Sequence, residues 1–219
     1  MSAVADNTWR GSTMAARSAE RRDQLVRAGF ELLGAEGAAG TTMRAVCRAA
    51  GLSLRYFYES FPDREALLVE VYDQVARGLV DAVTAEPVAA GADETARIHA
   101  AFDAAARYFE DDPRRSRIMF RETLADDTLR THGAAALPDF VRLVATQLSP
   151  DRADDLSSAQ LSMPISALSG ALVSLFLDWL AGRVSATRPE IVAYATHLTT
   201  AILSPENETR EATTRPTTL

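Results

Sequence analysis

Residues 53–61 carry the side chains of this sequence best suited to contact a nucleic acid. On a helix, where each residue advances by about 100°, Phe57 lies on one side and Arg55 near the opposite side, flanked by Tyr56 and Tyr58. Arginine can donate two hydrogen bonds to a guanine edge or to a phosphate, and a tyrosine hydroxyl can reach a phosphate oxygen. A short helix with this polar and aromatic face is therefore expected to contact another molecule.

A second short helix is predicted directly before this stretch, across a tight turn. Thr41 or Thr42 can cap its N-terminus, and Gly51 can adopt the left-handed conformation that ends a helix within one residue. Ser53 can then cap the next helix at once. The residues that give the first of these helices an apolar face are Met43, Val46, Cys47 and Ala50. The arrangement predicts a helix-turn-helix motif, although the pattern alone fits equally well an αα-corner whose Arg and Tyr side chains are only solvated.

Longer helices are predicted on both sides of this motif. The first runs from about Ser18 to Ala35, and its Arg21 and Arg22 could approach DNA phosphates, although charges at a helix start are usually only solvated. Asp63 can cap a fourth helix that extends to about Thr84 and links two domains. The glycines expected to end the first helix are Gly34, Gly37 and Gly40.

From about Glu20 to Val75 the chain resembles the DNA-binding domain of the TetR family of transcriptional regulators. The matching segments are Arg22 to Leu33, Gly37, Thr41-Thr42, Ala49-Ala50-Gly51-Leu52-Ser53, Phe57-Tyr58, Phe61 and Arg64-Glu65-Ala66-Leu67-Leu68. The resemblance implies an all-α fold, with an N-terminal three-helix helix-turn-helix domain and a C-terminal helical domain for ligand binding and dimerisation. The expected DNA-contacting residues are Thr42, Arg44, Ser53, Leu54, Arg55, Tyr56, Tyr58 and Arg64. Where the family often has Gly-Thr early in its recognition helix, this chain has Arg55-Tyr56, so the operator sequence does not carry over.

The expected organisation follows from these elements and from breaks in composition. We expect a disordered arm at 1–17, the helix-turn-helix domain at 18–64 with a linking helix to about 84, a helical effector-binding and dimerisation domain at 85–203, and a disordered tail at 204–219. The helices predicted in the second domain are about 93–110, 113–124, 127–148 with a kink or new start at Pro138, 153–183 and 188–203.

An uncharged segment from Leu156 to Leu177 is long enough to cross a bilayer. It contains several serines, Gln160 and Pro164, and no flanking basic cluster sets an orientation, so we reject a membrane span. A helix that is apolar on most sides must then be covered by other helices. We expect it to form, with the last helix, a four-helix interface across a two-fold axis, as the family resemblance also implies. The expected interface residues are Leu161, Leu168, Leu172, Trp179, Ile191 and Leu198.

The family resemblance also implies a pocket for a small-molecule inducer in the helical domain. The apolar and aromatic residues that could line it are Phe102, Phe109, Met119, Phe120, Phe140 and Met163. Met and aromatic side chains at helical spacing are more often ordinary core, so each of these residues has that alternative. The sequence does not identify the ligand.

Charge is distributed unevenly along the 219 residues, whose formal net charge is −7. A net acidic chain argues against a generic nucleic-acid binder. Residues 1–64, however, hold nine Arg and seven acidic residues, so the basic surplus accompanies the helix-turn-helix. The single cysteine, Cys47, excludes an internal disulfide and is expected to be a small buried hydrophobe. With no signal-peptide pattern at the N-terminus, we expect a cytoplasmic protein.

An enzyme is not expected from this sequence. Its histidines (His99, His132 and His197) lack metal-binding spacing, and there is no glycine-rich phosphate loop and no nucleophile elbow. We therefore expect no metal and no cofactor. The sequence predicts a homodimeric transcriptional regulator, most plausibly a repressor, that binds a palindromic operator and responds to a small-molecule effector. The alternative is a ligand-sensing dimeric helical module without sequence-specific DNA binding.

Overall fold

The computed structural model describes the backbone of residues 5–86, 91–136 and 162–203, and side-chain surroundings within these ranges from residue 14 onward, apart from residue 162. All regular structure in these ranges is helical, which confirms the predicted all-α class. The helices are α1 (Ala5–Gly40), α2 (Met43–Ala50), α3 (Leu54–Ser60), α4 (Arg64–Thr84), α5 (Glu94–Asp111), α6 (Pro113–Ser116), a π-helical turn (Arg117–Arg121), α7 (Glu122–Ala125), α8 (127–136), α9 (Ser162–Leu180) and α10 (Arg188–Leu203).

Most helix boundaries lie close to their predicted positions, but the first one does not. α1 begins at Ala5 rather than at Ser18, which corrects the expectation of an arm without helix at 1–17. Residues 14–24 hold three Ala and three Arg, which favour helix even where apolar residues do not recur at helical spacing. The predicted kink at Pro138 and the tail at 204–219 lie outside the described residues.

A kink interrupts α1 at Gly37, within the glycine-rich stretch predicted to end this helix. Gly37 has φ 78° and ψ −179°, a left-handed value of φ that other residues rarely adopt. A Cβ atom at this position would also lie 2.9 Å from a carboxylate oxygen of Glu122. Gly37 thus allows both the left-handed backbone and the close approach of Glu122, and the chain turns here toward α2.

The first of two compact units comprises Met1–Arg77 and Arg114–Ala135. It contains the helix-turn-helix and also α7 and α8, which sequence analysis assigned to the helical effector domain. Its core is formed by apolar side chains from both segments, among them Leu25, Leu33, Val46, Phe57, Leu67, Val71, Ile118 and Leu129. The unit that holds the helix-turn-helix is therefore completed by residues distant in sequence.

The second compact unit comprises Gly78–Pro113 and Ala136–Leu219. α5, α9 and α10 pack together in it, and Phe102 of α5 stacks on Phe176 of α9 with ring centroids 6.3 Å apart. The start of α10 is tied to α5 by ion pairs from Arg188 to Asp103 (3.2 Å) and to Glu110 (3.1 Å). Its buried apolar residues are Ile98, Ala101, Ala104, Ala106, Phe109, Leu168, Phe176, Trp179, Ile191, Val192 and Ala195, with Leu79 from α4.

The stripe predicted to form a subunit interface lies largely inside this unit. Leu168, Trp179 and Ile191 are buried within the single chain, and Leu172 and Leu198 are half-buried, while Leu161 lies outside the described residues. Large apolar residues at helical spacing indicate which face of a helix is buried, and here α5 packs on α10 and less extensively on α9. The pattern does not by itself distinguish a neighbour in the same chain from one in another subunit.

The residues predicted to line a pocket are divided between the two units. Phe102 is half-buried and Phe109 is buried in the second unit, but Met163 is 80% exposed. Met119, which is buried, and the half-buried Phe120 belong to the first unit. The remaining member, Phe140, lies outside the described residues.

Candidate nucleic-acid interface

α2 has a complete set of end signals. Thr42 caps it by accepting a hydrogen bond from the Ala45 amide at 3.2 Å. At the other end Gly51 is left-handed, with φ 66°, and the Leu52 amide donates to the Cys47 carbonyl at 2.9 Å. Together with the bond from the Gly51 amide to the Arg48 carbonyl (3.3 Å), this is the Schellman pattern that ends a helix abruptly. The sharp turn into α3 is thereby fixed, as predicted from Thr42 and Gly51.

The inner side of α3 anchors it to the rest of the first unit. Phe57 and Phe61 are buried, with ring centroids 5.9 Å apart, and Val46 and Cys47 of α2 are buried as well. Burial raises the pKa of the Cys47 thiol, which disfavours the reactive thiolate and is consistent with a core residue. Ser53 occupies the N-cap position of α3 without a side-chain capping bond.

The outer side of α3 is open to solvent. The Arg55 side chain is 85% exposed, and Tyr58 is 56% exposed. Two exposed tyrosines and an exposed leucine on a helix of seven residues leave apolar area uncovered, which favours contact with a partner. The predicted DNA-contacting residues that the structure places on the surface are Thr42, Arg44, Ser53, Leu54, Arg55, Tyr56 and Tyr58.

Arg64 has different surroundings from the other residues of the predicted set. It donates hydrogen bonds to the carbonyl oxygens of Thr41 (2.9 Å) and Ala38, and its side chain is 23% exposed. It also lies 3.7 Å from Asp126 and 3.1 Å from Glu65. Arg64 therefore holds the connection between α1 and α2, and its contact with DNA stays a prediction.

A charged cluster joins the exposed face of α3 to α1. The Glu59 carboxylate lies 3.0 Å from Nε of Arg55 and 3.8 Å from a guanidinium nitrogen of Arg21. The Arg21 guanidinium carbon in turn stacks over the Tyr56 ring, 4.6 Å from its centroid. One carboxylate thus lies between two arginines, and the cation–π contact restrains the Tyr56 ring.

The helix-turn-helix segment is similar in sequence to known regulatory proteins. Residues 25–71, which contain α2 and α3, match the model of the bacterial regulatory proteins of the tetR family. The same chain is 34% identical over 83 residues to the HTH-type transcriptional regulator BetI of Stenotrophomonas maltophilia. Residues 25–71 therefore form a DNA-binding domain of the TetR type. The match to BetI covers 38% of this chain and 42% of that regulator, so it spans less than half of either protein.

Solved structures of TetR-like proteins share the fold over most of the chain. The fatty acid degradation regulator FadR from Bacillus halodurans matches with a TM-score of 0.64 at 14% identity, covering 84% of this chain and 95% of its own. The multidrug binding protein EbrR, solved with imidazole, matches with a TM-score of 0.59 at 20% identity, covering 81% and 94%. At these identities the likeness establishes the fold and leaves the ligand open.

Sequence reasoning did not single out every charged residue near this TetR-type motif. Arg48, in the last turn of α2, is exposed and was not among the predicted contacts. Arg48 lies three residues before Gly51, at the end of α2 next to the turn, and this position could have marked it as a further candidate contact. Glu59 lies one helical turn after Arg55 on α3, but its ion pair with Arg21 depends on the packing of α1 against α3, which sequence spacing does not reveal.

Proposed function

We propose that this protein is a homodimeric transcriptional regulator that binds a palindromic DNA operator through α3 and is released by a small-molecule effector. The observation that supports it most directly is the exposed Arg55, Tyr56 and Tyr58 face, set across a Schellman turn from a capped α2. Arginine can read base edges, and the tyrosine hydroxyls can fix the helix on the phosphates. The arrangement matches the docking of a recognition helix in the major groove.

Selection of genomic DNA fragments with purified full-length protein tests this proposal. We expect recovery of fragments that share one inverted repeat, with half-sites about one duplex turn apart or at another fixed spacing. Enrichment of no common sequence would favour the alternative of a ligand-sensing helical module that does not read DNA sequence.

The charge of Glu59 gives a specific prediction for DNA affinity. In Glu59→Gln, Arg21 and Arg55 lose a carboxylate partner and one negative charge leaves the proposed interface. We expect tighter binding to unrelated duplexes, with the plot of log affinity against log salt steeper by about one, because Arg21 gains a phosphate contact. Fluorescence anisotropy across a salt series measures both quantities.

The matched control is Glu20→Gln, which removes the same charge from an exposed residue beside Arg21 on α1. It is expected to leave the salt slope within experimental error of the native value. Equal slopes for the Glu59→Gln variant and the native protein would contradict the role given to this carboxylate.

The proposed dimer surface is the exposed side of α9 and α10. On α9 the exposed residues recur at helical spacing and are mostly small: Met163, Ser166, Ala167, Gly170, Ala171 and Ser174. On α10 the exposed residues from the second turn onward are Ala193, Tyr194, His197 and Ala201. Small residues let two helices approach closely, and an uncharged face of this kind gains free energy when a second copy covers it. The proposed interface therefore uses the two helices predicted from the sequence, but it is formed by their exposed residues instead of the predicted apolar stripe.

The same helix raises a competing possibility. Among the described residues, Met163–Leu180 is long and apolar enough to cross a membrane by length and composition alone, and 17% of this window is buried. α9 and α10 pack against each other and both carry exposed small or apolar residues, so a second copy that covers them would account for this face without a lipid contact. The oligomeric state and the membrane affinity of the purified protein distinguish the two.

The effector is proposed from the family and remains unnamed. In the second unit a cavity of about 260 Å³ lies between α4 and α5, and its residues include the ion-paired Glu86 and Arg107. That volume is below the range of typical ligand pockets. FadR is described as a fatty acid degradation regulator and EbrR as a multidrug binding protein, so the relatives suggest no common ligand. Among the described residues, no group of three or more His, Cys, Asp or Glu is placed to hold a metal.

A further inference from the structure

A buried carboxylate lies at the joint between α1 and the helix-turn-helix. Glu122 is 4% exposed, and its carboxylate accepts hydrogen bonds from the Ala38 amide at 2.8 Å and from Nε of Arg117 at 3.2 Å. Arg117 also donates to the Ala35 carbonyl at 2.7 Å. The pair therefore bonds the backbone on both sides of the kink at Gly37.

The π-helical turn makes this pairing possible. In a regular α-helix, two residues five positions apart point about 140° away from each other. The turn Arg117–Arg121 widens the helix locally and closes with a bond from the Glu122 amide to the Arg117 carbonyl. Arg117 and Glu122 are thereby brought to the same side, facing the end of α1.

The chain between the kink and α2 is held mainly by polar contacts. Thr41, fully buried, donates its hydroxyl hydrogen to the Gly37 carbonyl at 2.8 Å. Arg64 bonds the carbonyl oxygens of Ala38 and Thr41 from the other side. These bonds fix the direction in which the chain enters Thr42, the N-cap of α2.

Burying a carboxylate costs free energy, and a well-packed apolar side chain can often replace a buried ion pair without loss of stability. Hydrogen bonds, unlike apolar contacts, depend on direction, and this carboxylate receives two of them from groups with fixed positions. The chemistry of Glu122 is thus better suited to orienting the joint than to filling space.

We propose that Glu122 is a positioning residue for DNA binding: through Ala38 and Arg117 it sets the angle at which α2 and α3 leave α1. It touches no DNA itself. This inference rests on the proposed function, because it concerns the affinity of the same helix-turn-helix for its operator. Since α3 must enter a groove as a rigid element, a small rotation of the motif misplaces several contacts at once.

The test is Glu122→Gln, which keeps the size of the side chain. Its amide offers one acceptor where two donors converge, so either the Ala38 amide or Arg117 loses its partner. We expect affinity for the selected operator duplex to fall about tenfold, and affinity for a shuffled duplex to fall less than twofold, at a temperature where circular dichroism shows both proteins folded. A role in stability alone would lower the melting temperature and leave both affinities of the folded protein unchanged.

Asp127→Asn is the control, since it removes a carboxylate from the same segment at a side chain that is 87% exposed. It should bind as the native protein does. If Glu122→Gln does not fold, Arg117→Met decides, with an expected loss of about threefold for the operator alone. Operator affinity within twofold of native in the folded variant overturns the positioning role. Failure of the native protein to distinguish operator from shuffled DNA would instead refute the proposed function.

Discussion

Replacing Gly170 with arginine should convert the protein to a monomer and lower its affinity for the operator at least about 100-fold. Gly170 is exposed, and a Cβ atom added to it meets no atom of the described residues within 4 Å, so a side chain can leave this position toward solvent. In the proposed dimer it would place a charge in the close contact between α9 helices. Loss of the second subunit removes the avidity of two linked half-site contacts, which accounts for the size of the effect.

Sedimentation velocity at micromolar concentration and gel shift on the selected operator measure the two consequences. Ser185→Arg, which adds the same charge at an exposed loop residue of the same unit, should remain dimeric and bind normally. Gly170→Ala should also remain dimeric, since it adds one methyl group. A Gly170→Arg variant that still sediments as a dimer would contradict the interface placed on this face.

Replacing Arg55 with alanine should cost about 1 to 3 kcal/mol of operator binding, a loss of about 5- to 150-fold, and relax the preference for one base pair. The Arg55 side chain is 85% exposed, compared with 39% for Glu59, its partner on α3. Their ion pair lies on the surface, so breaking it to bind a base edge costs little free energy. The measurement is competition binding against operators substituted one position at a time.

Tyr58→Phe provides the comparison for Arg55→Ala. It removes only a hydroxyl that is expected to contact phosphate, so it should weaken all duplexes alike and leave the base preferences unchanged. Equal losses on every duplex for Arg55→Ala would contradict a role in reading bases and assign this side chain to the backbone as well.

Local signals in the sequence were sufficient for the helix-turn-helix itself. Thr42 as N-cap and Gly51 in the left-handed conformation are confirmed, and Phe57 is buried on the side of α3 away from Arg55, as its spacing predicts. Capping, glycine conformation and helical spacing all act over a few residues. The start of α1 was misplaced because it was set by apolar periodicity, whereas the Ala and Arg residues just before Ser18 favour helix without such a period.

Contacts between distant segments could not be predicted in the same way. The spacing of Leu168, Trp179 and Ile191 correctly marks a buried face, yet it does not state that this face packs within the chain. The partners of Arg64 and Glu122 depend on a π-helical turn and on the packing of residues 114–135 in the first unit. No residue near Glu122 in sequence indicates that its carboxylate meets the end of α1.

The most direct test of the account compares the affinity of the native protein for the selected inverted repeat with its affinity for a shuffled duplex of equal length. Both are measured at one fixed salt concentration near 150 mM. A dimer that reads two half-sites through α3 is expected to prefer the repeat by about 1,000-fold or more. Affinities that agree within threefold would show that the exposed arginine and tyrosines of α3 do not read DNA sequence.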